Sequence, residues 1–459
     1  MLNEQKNNVV SIVKWFFLAT GIGCVVGVLD AAFLKLLDKS IALRNEIPLF
    51  YLCLPFALYI VALLSRKVAQ KDKDYSTDAV IDKINTYNPI SLISIVKGFF
   101  LSIVTMVTGG SAGKEAPCAD VGAGIASFIS RVFKMNLEDQ RKMMVCGVSA
   151  GFAGVFGVPI SGAMFGLEVL WVGHIFYEVM FPALVAGITA FQVTSFLGVD
   201  YIYHPLHFVP VFSEKFFLKM IVAGMFFGLV SILFIEIMKF TRVLFRYIAL
   251  RTRMFWACFI GGLVLVCIGF FISPAYLGLG MPGIEETLSG NPLSSPFGFL
   301  YKIITTSVTF AAGGIGGVVT PIFFVGAQAG AMLADFIHVD PATLAALGLV
   351  AVLAGTANTP LAASIMAIEL FGPAIAPYAT VACVISFLIT GQQSIYQSQR
   401  ITWDSGKTTN KHPSVPRGYG RRATDKPAKT HVRKNLLKKA LKEMTHHLIP
   451  NPKGFDEKK

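Results

Sequence analysis

The feature that most constrains this chain is its series of long, nearly uncharged apolar segments. They lie at 15–36, 50–64, 92–107, 143–172, 176–197, 216–238, 255–272, 303–312, 318–337, 344–371 and 378–389. About 20 apolar residues suffice for a helix to cross a bilayer, whereas the strands of a transmembrane β-barrel alternate in polarity over segments of about ten residues. Because 54% of the residues are hydrophobic and only 15% are charged, the sequence predicts an all-α polytopic membrane protein.

Several of these segments are shorter than a simple span or are interrupted by glycine and proline. The segment 303–312 has ten residues, whereas 143–172 has thirty and contains Pro159. A broken helix is tolerated at membrane depth only where protein or a water-filled cavity covers its freed backbone groups. We therefore predict tilted and discontinuous helices that meet inside the protein, as they do in many transporters.

The positive charge of the chain is concentrated in its last sixty residues. Residues 400–459 contain 16 Lys/Arg and five Asp/Glu, so they supply most of the formal net charge of +13. Lys and Arg beside a membrane segment mark the cytoplasmic side and are attracted to anionic lipid. We interpret 400–459 as a basic, disordered cytoplasmic tail with membrane lipid contacts, 1–14 as a cytoplasmic N-terminus and 15–399 as the transmembrane domain. No nucleic-acid partner is expected.

An internal repeat divides the transmembrane domain. The pattern GGxxGxxxP occurs at 109–117 and again at 313–321, an offset of 204, and Val-Gly-Ala at 121–123 recurs at 325–327. A second block repeats at an offset of 201: Gly147, Gly154, Pro159 and Glu168 correspond to Gly348, Gly355, Pro360 and Glu369. Glycine placement for helix packing explains any single match, but it does not explain the shared register. We predict two homologous halves, at about 15–200 and 215–399.

Motifs of soluble enzymes also occur, and their context argues against them. Ser111 lies in a literal G-x-S-x-G, but that nucleophile motif requires a strand–turn–helix setting and a His/Asp partnership. Glu115 stands where a P-loop has Ser or Thr after Gly113-Lys114. The histidines and cysteines are scattered, so neither a metal site nor a cofactor is predicted. The sequence therefore does not indicate an enzyme.

The segment 113–117, Gly-Lys-Glu-Ala-Pro, has the features of an anion site. Proline favours the first turn of a helix and glycine permits a sharp turn before it, so a helix is expected to begin here. The unpaired N–H groups and the positive dipole end of such a helix attract an anion. Glu115 places a carboxylate at this point, within a membrane region where ionisable groups are costly and usually functional. A simple capping carboxylate is the alternative.

In this order, the motifs resemble those of the CLC family of chloride channels and chloride/proton antiporters, over residues 15–399. The segment 113–117 is similar to the family's G-[K/R]-E-G-P, with Ala116 replacing the second glycine, and 317–321 is similar to its G-I-F-A-P. The segments 159–168 and 360–369 resemble those that follow each motif. The segment 391–396 resembles the start of the family's last helix, whose tyrosine, here Tyr396, faces the anion. The chain resembles a divergent prokaryotic member.

One family element is degenerate in this sequence. Members usually carry G-S-G-I-P at the first anion-binding turn, whereas residues 75–80 read Tyr-Ser-Thr-Asp-Ala-Val, which is similar to a G-T-D-A-V variant. Thr77 is our first candidate for the hydroxyl donor and Ser76 the second, although either suits a helix N-cap. Because this position influences anion preference in the family, the resemblance predicts anion transport and leaves the preferred anion open.

The resemblance implies a homodimer whose subunits each hold a pathway between two inverted halves. Glu115 is expected to gate it by competing with the anion for N–H groups, until protonation or a second anion displaces it. Chloride is the expected anion, with fluoride or nitrate as alternatives, in a bacterial inner membrane with both termini cytoplasmic. The implied anion-binding residues are Thr77, Ser76, Gly113, Lys114, Ala116, Gly317, Val318, Val319 and Tyr396.

Proton coupling is the point at which the sequence departs from well-coupled antiporters of the family. Those antiporters carry an inner glutamate immediately after the position of Glu168, and this sequence has Val169 there. A valine cannot relay a proton. We therefore expect anion flux with weak or absent proton coupling. Glu168 is an alternative relay, and a proton-coupled antiporter is the alternative function.

Two other classes of function stay open at this point. A transporter of cations or organic solutes would predict more intramembrane acids than Glu115, Glu168 and Glu369. An intramembrane hydrolase would use Ser111 and would require a partnered His or Lys. We do not expect Lys114 to fill that role.

Overall fold

The computed structural model describes residues 2–69, 76–201, 203, 213–291 and 295–401. These residues belong to one unit, Met1–Lys407. Except for its first two residues, the predicted tail at 400–459 lies outside the described part of the chain, together with its predicted disorder and lipid contacts. The polar N-terminus does not form a separate segment, because the first helix already begins at Leu2.

The described residues form sixteen α-helices and two short strands, which confirms the predicted all-α class. The helices are α1 Leu2–Asn45, α2 Leu54–Ala69, α3 Thr77–Asn85, α4 Leu92–Val107, α5 Glu115–Val132, α6 Leu137–Phe156, α7 Pro159–Glu168, α8 Tyr177–Phe196, α9 Glu214–Arg251, α10 Met254–Phe271, α11 Met281–Leu288, α12 Gly298–Ala311, α13 Val319–Ile337, α14 Pro341–Ala357, α15 Pro360–Phe371 and α16 Ala376–Thr390. The strands are β1 Trp171–Val172 and β2 Arg400–Ile401, which pair in parallel.

Six helical segments among the described residues are long and apolar enough to cross a membrane. They are Gln5–Asn45, Tyr177–Phe196, Glu214–Arg251, Met254–Phe271, Val319–Ile337 and Pro373–Thr390. Four further apolar helices are shorter than a simple span. α5 begins with a buried first turn at Glu115, and the short helices α7 and α15 begin at Pro159 and Pro360. The predicted mixture of long and discontinuous helices is therefore present.

The repeated glycines of the second block hold helices in close contact. Gly147 of α6 lies against the Gly122 carbonyl of α5, and Gly348 of α14 lies against the Gly326 carbonyl of α13. A Cβ atom at any of these four positions would overlap backbone atoms of the facing helix. Small residues allow helix backbones to approach in this way inside a membrane. The same contact is thus made once in each half.

The two halves also exchange hydrogen bonds through equivalent residues. Thr105 in α4 accepts a hydrogen bond from the Ile315 N–H at 3.2 Å, and Thr309 in α12 accepts one from the Ser111 N–H at 3.0 Å. Each threonine hydroxyl therefore satisfies a buried donor in the loop of the other half. Burial makes these pairs necessary, because an unpaired N–H in the interior costs free energy.

A second exchange joins the glutamates of the repeat. Glu168 at the end of α7 accepts hydrogen bonds from Leu361 N at 3.1 Å and Ala362 N at 2.9 Å. Glu369 in α15 accepts from the N–H groups of Ile160 and Ser161 at 2.9 and 2.8 Å. Each carboxylate caps the N-terminus of the helix in the other half, where the helix dipole favours negative charge. This contact explains why both halves retain a glutamate.

The segment after α16 differs from the expectation. Residues 391–399 form an irregular segment and not the start of a last helix, and they lead into β2 beside β1. Side chains hold this segment in place: Gln399 donates to the Val169 and Ala357 carbonyls at 2.9 and 2.7 Å, and Asp78 accepts from Ser398 N and Oγ at 2.8 and 2.9 Å. We call residues 391–401 the C-terminal strap.

Candidate functional site

Glu115 lies where the two halves meet. It is the first residue of α5 and is only 2% exposed. Its carboxylate accepts hydrogen bonds from the start of α13 in the other half: from Val319 N at 2.5 Å, from Thr320 N at 3.4 Å and from Thr320 Oγ1 at 2.9 Å. The carboxylate of one half therefore occupies the helix N-terminus of the other.

Glycine at two equivalent positions makes room for this carboxylate. Gly113 and Gly317 pair as an antiparallel bridge, with N–H to carbonyl distances of 2.7 and 2.8 Å. A Cβ atom on either glycine would overlap the carboxyl group of Glu115. The bridge fixes the two helix starts relative to each other, and the missing side chains leave space for one small anionic group.

The donors around Glu115 are suited to an anion that must bind and leave again. Backbone N–H groups at the start of a helix attract negative charge without carrying a full positive charge. Distributed, uncharged ligands of this kind bind an ion weakly enough to release it. Because the carboxylate already uses the Val319 and Thr320 donors, an anion at the same place has to replace it.

The two hydroxyl candidates before α3 lie in different surroundings. Ser76 is exposed and caps α3, since its hydroxyl accepts a hydrogen bond from Ala79 N at 3.2 Å. Thr77 is half-buried, and its hydroxyl donates to a carboxylate oxygen of Asp120 at 3.3 Å. Of the two side chains, only that of Thr77 points toward the interior. It faces the carboxylate of Asp120 and not an open space.

Tyr396 is 6% exposed and lies in the C-terminal strap. The acidic groups in its neighbourhood are Glu115, Asp120 and Asp78. Its backbone N–H donates to Ser394 Oγ at 3.1 Å, so the strap also fixes the main chain at this residue. The structure thus brings Tyr396 to the same region as Glu115 and Thr77.

The remaining candidates lie around the two helix starts. Lys114 is half-buried before α5, and its acidic neighbours are Asp38, Glu115 and Glu285. Ala116 is buried in the first turn of α5, and Val318 is buried directly before α13. Together with Gly113, Gly317 and Val319, these residues form a single cluster around the Glu115 carboxylate.

Several polar residues of this region were not found from the sequence. Thr320 binds Glu115, Asp120 meets Thr77, and Asp30 in α1 is 1% exposed. Lys302 in α12 is fully buried and donates to the carbonyls of Tyr276 and Gly278 at 3.3 and 2.9 Å. The ionisable ones among them could have been identified from the sequence, because they lie inside apolar segments, where such residues are usually functional. The expectation that Glu115, Glu168 and Glu369 are the intramembrane acids was therefore incomplete.

The structure gives no support to an enzyme-like site at Ser111. Its hydroxyl lies 2.9 Å from Thr306 Oγ1, and its N–H binds Thr309. Within the described ranges, no group of three or more His, Cys, Asp or Glu residues is arranged to hold a metal ion.

The sequence at 56–391 matches the voltage-gated chloride channel family. This chain belongs to that family. CLC membership is consistent with the two interlocked halves and with a glutamate at the meeting point of their helices. It identifies a multi-pass membrane protein of a family of channels and transporters, and the solute-transporter and hydrolase alternatives no longer apply at the family level.

Relatives of this CLC protein include channels and antiporters by description. A chloride/fluoride channel protein of Pseudomonas syringae pv. tomato is 35% identical over 410 residues, which cover 87% of this chain and 89% of that protein. The crystal structure of a CLC-type fluoride/proton antiporter has a TM-score of 0.79 at 28% identity and covers 85% of this chain and 98% of that one. A slow cyanobacterial Cl⁻/H⁺ antiporter, with a TM-score of 0.72 at 19% identity over 82% of this chain and 94% of its own, shares the fold.

Proposed function

We propose that this CLC protein moves small halide ions, chloride and fluoride, along a pathway that Glu115 gates. The observation that carries the proposal is the carboxylate of Glu115 on the Val319 and Thr320 donors. The carboxyl group of Glu115 already accepts hydrogen bonds from these donors, so the place is suited to an anion. The similarity to a chloride/fluoride channel protein supports both halides.

Gating follows from competition for these donors. An ionised Glu115 holds them and keeps the anion out. A proton on the carboxylate removes its charge and weakens its hydrogen bonds, since bonds to charged groups are the stronger ones. Protonation or an arriving anion therefore displaces Glu115, and we expect anion flux to rise as the pH falls.

The inner part of the pathway is proposed to include Thr77 and Tyr396. Tyr396 is buried beside the acidic groups of the site, and its hydroxyl is a neutral donor. A hydrogen bond of this kind is worth about 1 kcal/mol, which corresponds to about a fivefold change in affinity. Tyr396→Phe should weaken halide binding by this amount. Tyr59→Phe is a matched control, since Tyr59 packs on Phe255 in a separate apolar cluster.

Weak or absent proton coupling remains our prediction for this chain, since Val169 is apolar and buried. Glu168 is bound at both oxygens to the start of α15, which favours a structural role over a relay. A proton-coupled exchanger is the second candidate, and its support is the similarity to a fluoride/proton antiporter.

Ion flux from proteoliposomes tests these statements together. The purified protein is reconstituted, and efflux of chloride, fluoride and nitrate is recorded with and without a pH gradient. Proton movement is followed in parallel, with a protonophore control. Failure to move any of the three anions contradicts the proposed function. Uphill proton movement at a fixed ratio to the anion would select the exchanger instead.

Assembly and placement in the cell stay predictions from the family resemblance. We expect a homodimer with one pathway per subunit, in the inner membrane of a bacterium with both termini cytoplasmic. Cross-linking in native membranes tests the homodimer. Cysteine labelling of residues near each end of the chain tests the cytoplasmic position of the two termini.

A further inference from the structure

Asp120 is a buried acid on the helix that carries Glu115. It lies five residues further along α5 and is 1% exposed. At a rise of 1.5 Å per residue, it is about 7.5 Å beyond Glu115 along the helix axis. Neither the gating step nor the helix caps described above use this residue.

The course of α5 shows on which side of Glu115 the residue Asp120 lies. α5 ends at Val132, and α6 follows after four residues. Asp139, in the first turn of α6, pairs with Lys14 at 2.8 Å, so the end of α5 and the beginning of α1 lie on one side. On that side Arg141 of α6 and Arg400 of the C-terminal strap both lie over the ring of Trp171. We call it the tail side, because the basic tail follows Arg400.

Asp120 also adjoins the proposed anion ligands. Thr77 Oγ1 donates to its carboxylate at 3.3 Å, and Asp120 is one of the acidic groups that act on the Tyr396 hydroxyl. Two other acids of the region hold parts of the fold together. Asp78 binds two donors of Ser398, and Glu168 binds two backbone N–H groups of α15.

Few other titratable groups face this part of α5. The start of α5 contributes Glu115 and Lys114, α3 contributes Asp78, and the C-terminal strap contributes Tyr396. From α1, Asp30 lies beside Cys118, two residues before Asp120. The titratable groups of α4 and α6 are Lys97, Glu138, Asp139, Arg141, Lys142 and Cys146. All of them are exposed or half-buried except the Cys146 thiol, which is buried. α13 contributes the hydroxyl of Thr320 and, at its far end, Asp335.

The charge of a carboxylate next to an anion site affects how tightly the anion binds. If Asp120 is ionised, it repels a halide at Thr77 and Tyr396, whereas its protonated form does not. By thermodynamic reciprocity, a halide that binds better to the protonated form must itself favour proton binding. Proton and halide binding are therefore coupled at this place.

We propose that Asp120 is a second proton-binding site, on the tail side of Glu115, whose protonation is coupled to halide binding at Thr77 and Tyr396. The proposal rests on the proposed function, because it requires a halide at these ligands. It provides an acid on the side where Val169 replaces the glutamate of coupled antiporters, and it couples proton binding to halide binding without itself moving protons across the membrane. The carboxylate takes a proton from water when the halide binds, and returns it to water when the halide leaves.

Calorimetric halide titrations of the purified protein test the coupling. The variant Glu115→Gln removes the gating carboxylate, so that any remaining proton uptake has another source. Titrations with fluoride and with chloride, in buffers of different ionisation enthalpy, give the number of protons taken up for each halide bound. We expect uptake in Glu115→Gln, and a halide affinity that falls with rising pH, by up to about tenfold per pH unit for one coupled proton.

Two double variants identify the residue. Glu115→Gln/Asp120→Asn should bind halide without proton uptake and with an affinity that no longer depends on pH. Glu115→Gln/Asp30→Asn is the matched control, because Asp30 is equally buried but lies outside the proposed ligands, and it should keep the uptake. Equal uptake in both double variants overturns the proposal.

Failure of the proposal and failure of the proposed function give different results. Halide binding to Glu115→Gln without proton uptake overturns the role of Asp120 and leaves anion transport intact. No binding of either halide to the wild-type protein overturns both. Infrared difference spectra of Glu115→Gln, recorded on halide addition, are a measurement that does not need a second variant. A new band of a protonated carboxyl group is expected, and its absence contradicts the proposal.

Discussion

The starts of α5 and α13 occupy equivalent places in the two halves of the molecule. Each helix begins two residues after a glycine of the Gly113–Gly317 bridge. Their side chains differ, since Glu115 in α5 corresponds to Val319 in α13 at the repeat offset of 204. The backbone is therefore symmetric at a point where the chemistry is not.

The difference shows how a symmetric scaffold makes a gate. One half supplies a carboxylate and the other supplies the N–H donors that hold it. A second carboxylate at position 319 would lie beside the first and repel it. By contrast, Glu168 and Glu369 form a symmetric pair of caps. The asymmetric pair is where we expect function, and the symmetric pair is where we expect stability.

Substitution of Glu115 should have the largest effect. Glu115→Gln removes the titratable group from the gate. At a halide concentration that saturates the site, where a pH-dependent affinity does not limit transport, anion flux should either stop or become constant between about pH 4 and pH 8, a range that spans the ordinary titration of a carboxyl group. Flux from proteoliposomes at a series of pH values measures this. Val319→Ala, at the equivalent position, is the control and should keep the wild-type pH profile. Persistence of that profile in Glu115→Gln would falsify the gating role.

Making the two helix starts alike should have the next largest effect. Val319→Glu places a second carboxylate against Glu115 in a buried site, and like charges there oppose each other. We expect halide affinity to fall at least tenfold, or about 1.4 kcal/mol, as measured by titration calorimetry. Val319→Gln has nearly the same shape without the charge and should lose less. Equal losses in the two variants would show that size rather than charge is responsible.

The symmetric caps should respond alike. Glu168→Gln and Glu369→Gln each replace a carboxylate by an amide. The amide presents only one acceptor oxygen to the two N–H donors, and its NH2 group faces the second donor. We expect each to lower the free energy of unfolding by about 1.5–3 kcal/mol, the range for hydrogen bonds to charged groups, as measured by thermal unfolding in detergent. Flux of both variants should keep its pH dependence. A change in proton movement confined to Glu168→Gln would instead identify Glu168 as a relay.

The exchanged threonines should give the smallest effects. Thr105→Val and Thr309→Val keep the side-chain shape but leave the N–H groups of Ile315 and Ser111 without their acceptors. Each change should cost about 1–2 kcal/mol, and the two costs should be similar. Thr86→Val, at an exposed hydroxyl that binds its own helix, is a control with little expected effect. Clearly unequal costs would show that the halves are less equivalent than their geometry suggests.

Much of this architecture could be predicted from local patterns. The glycine and proline spacing of 113–117 predicts a helix start, and α5 begins at Glu115. The repeat offset predicts two related halves, and Gly147 and Gly348 make equivalent helix contacts. The resemblance predicted the start of a last helix at 391–396, and this prediction is wrong, because these residues are irregular. Local sequence does not show that the strap is held by Asp78, which lies 320 residues away in the chain, or that Gln399 of the strap donates to the Val169 carbonyl.

By itself the sequence determined the class of protein, the register of its repeat and the candidate gate, because apolar length, glycine spacing and a carboxylate in a membrane segment are local properties. Only the tertiary structure decided which donors Glu115 uses and which acid faces Thr77. Those contacts join residues 204 and 43 positions apart, and such pairings depend on how buried helices approach one another. The physical reason is that burial forces each polar group to find a partner, while the packing of the whole molecule determines which partner is within reach.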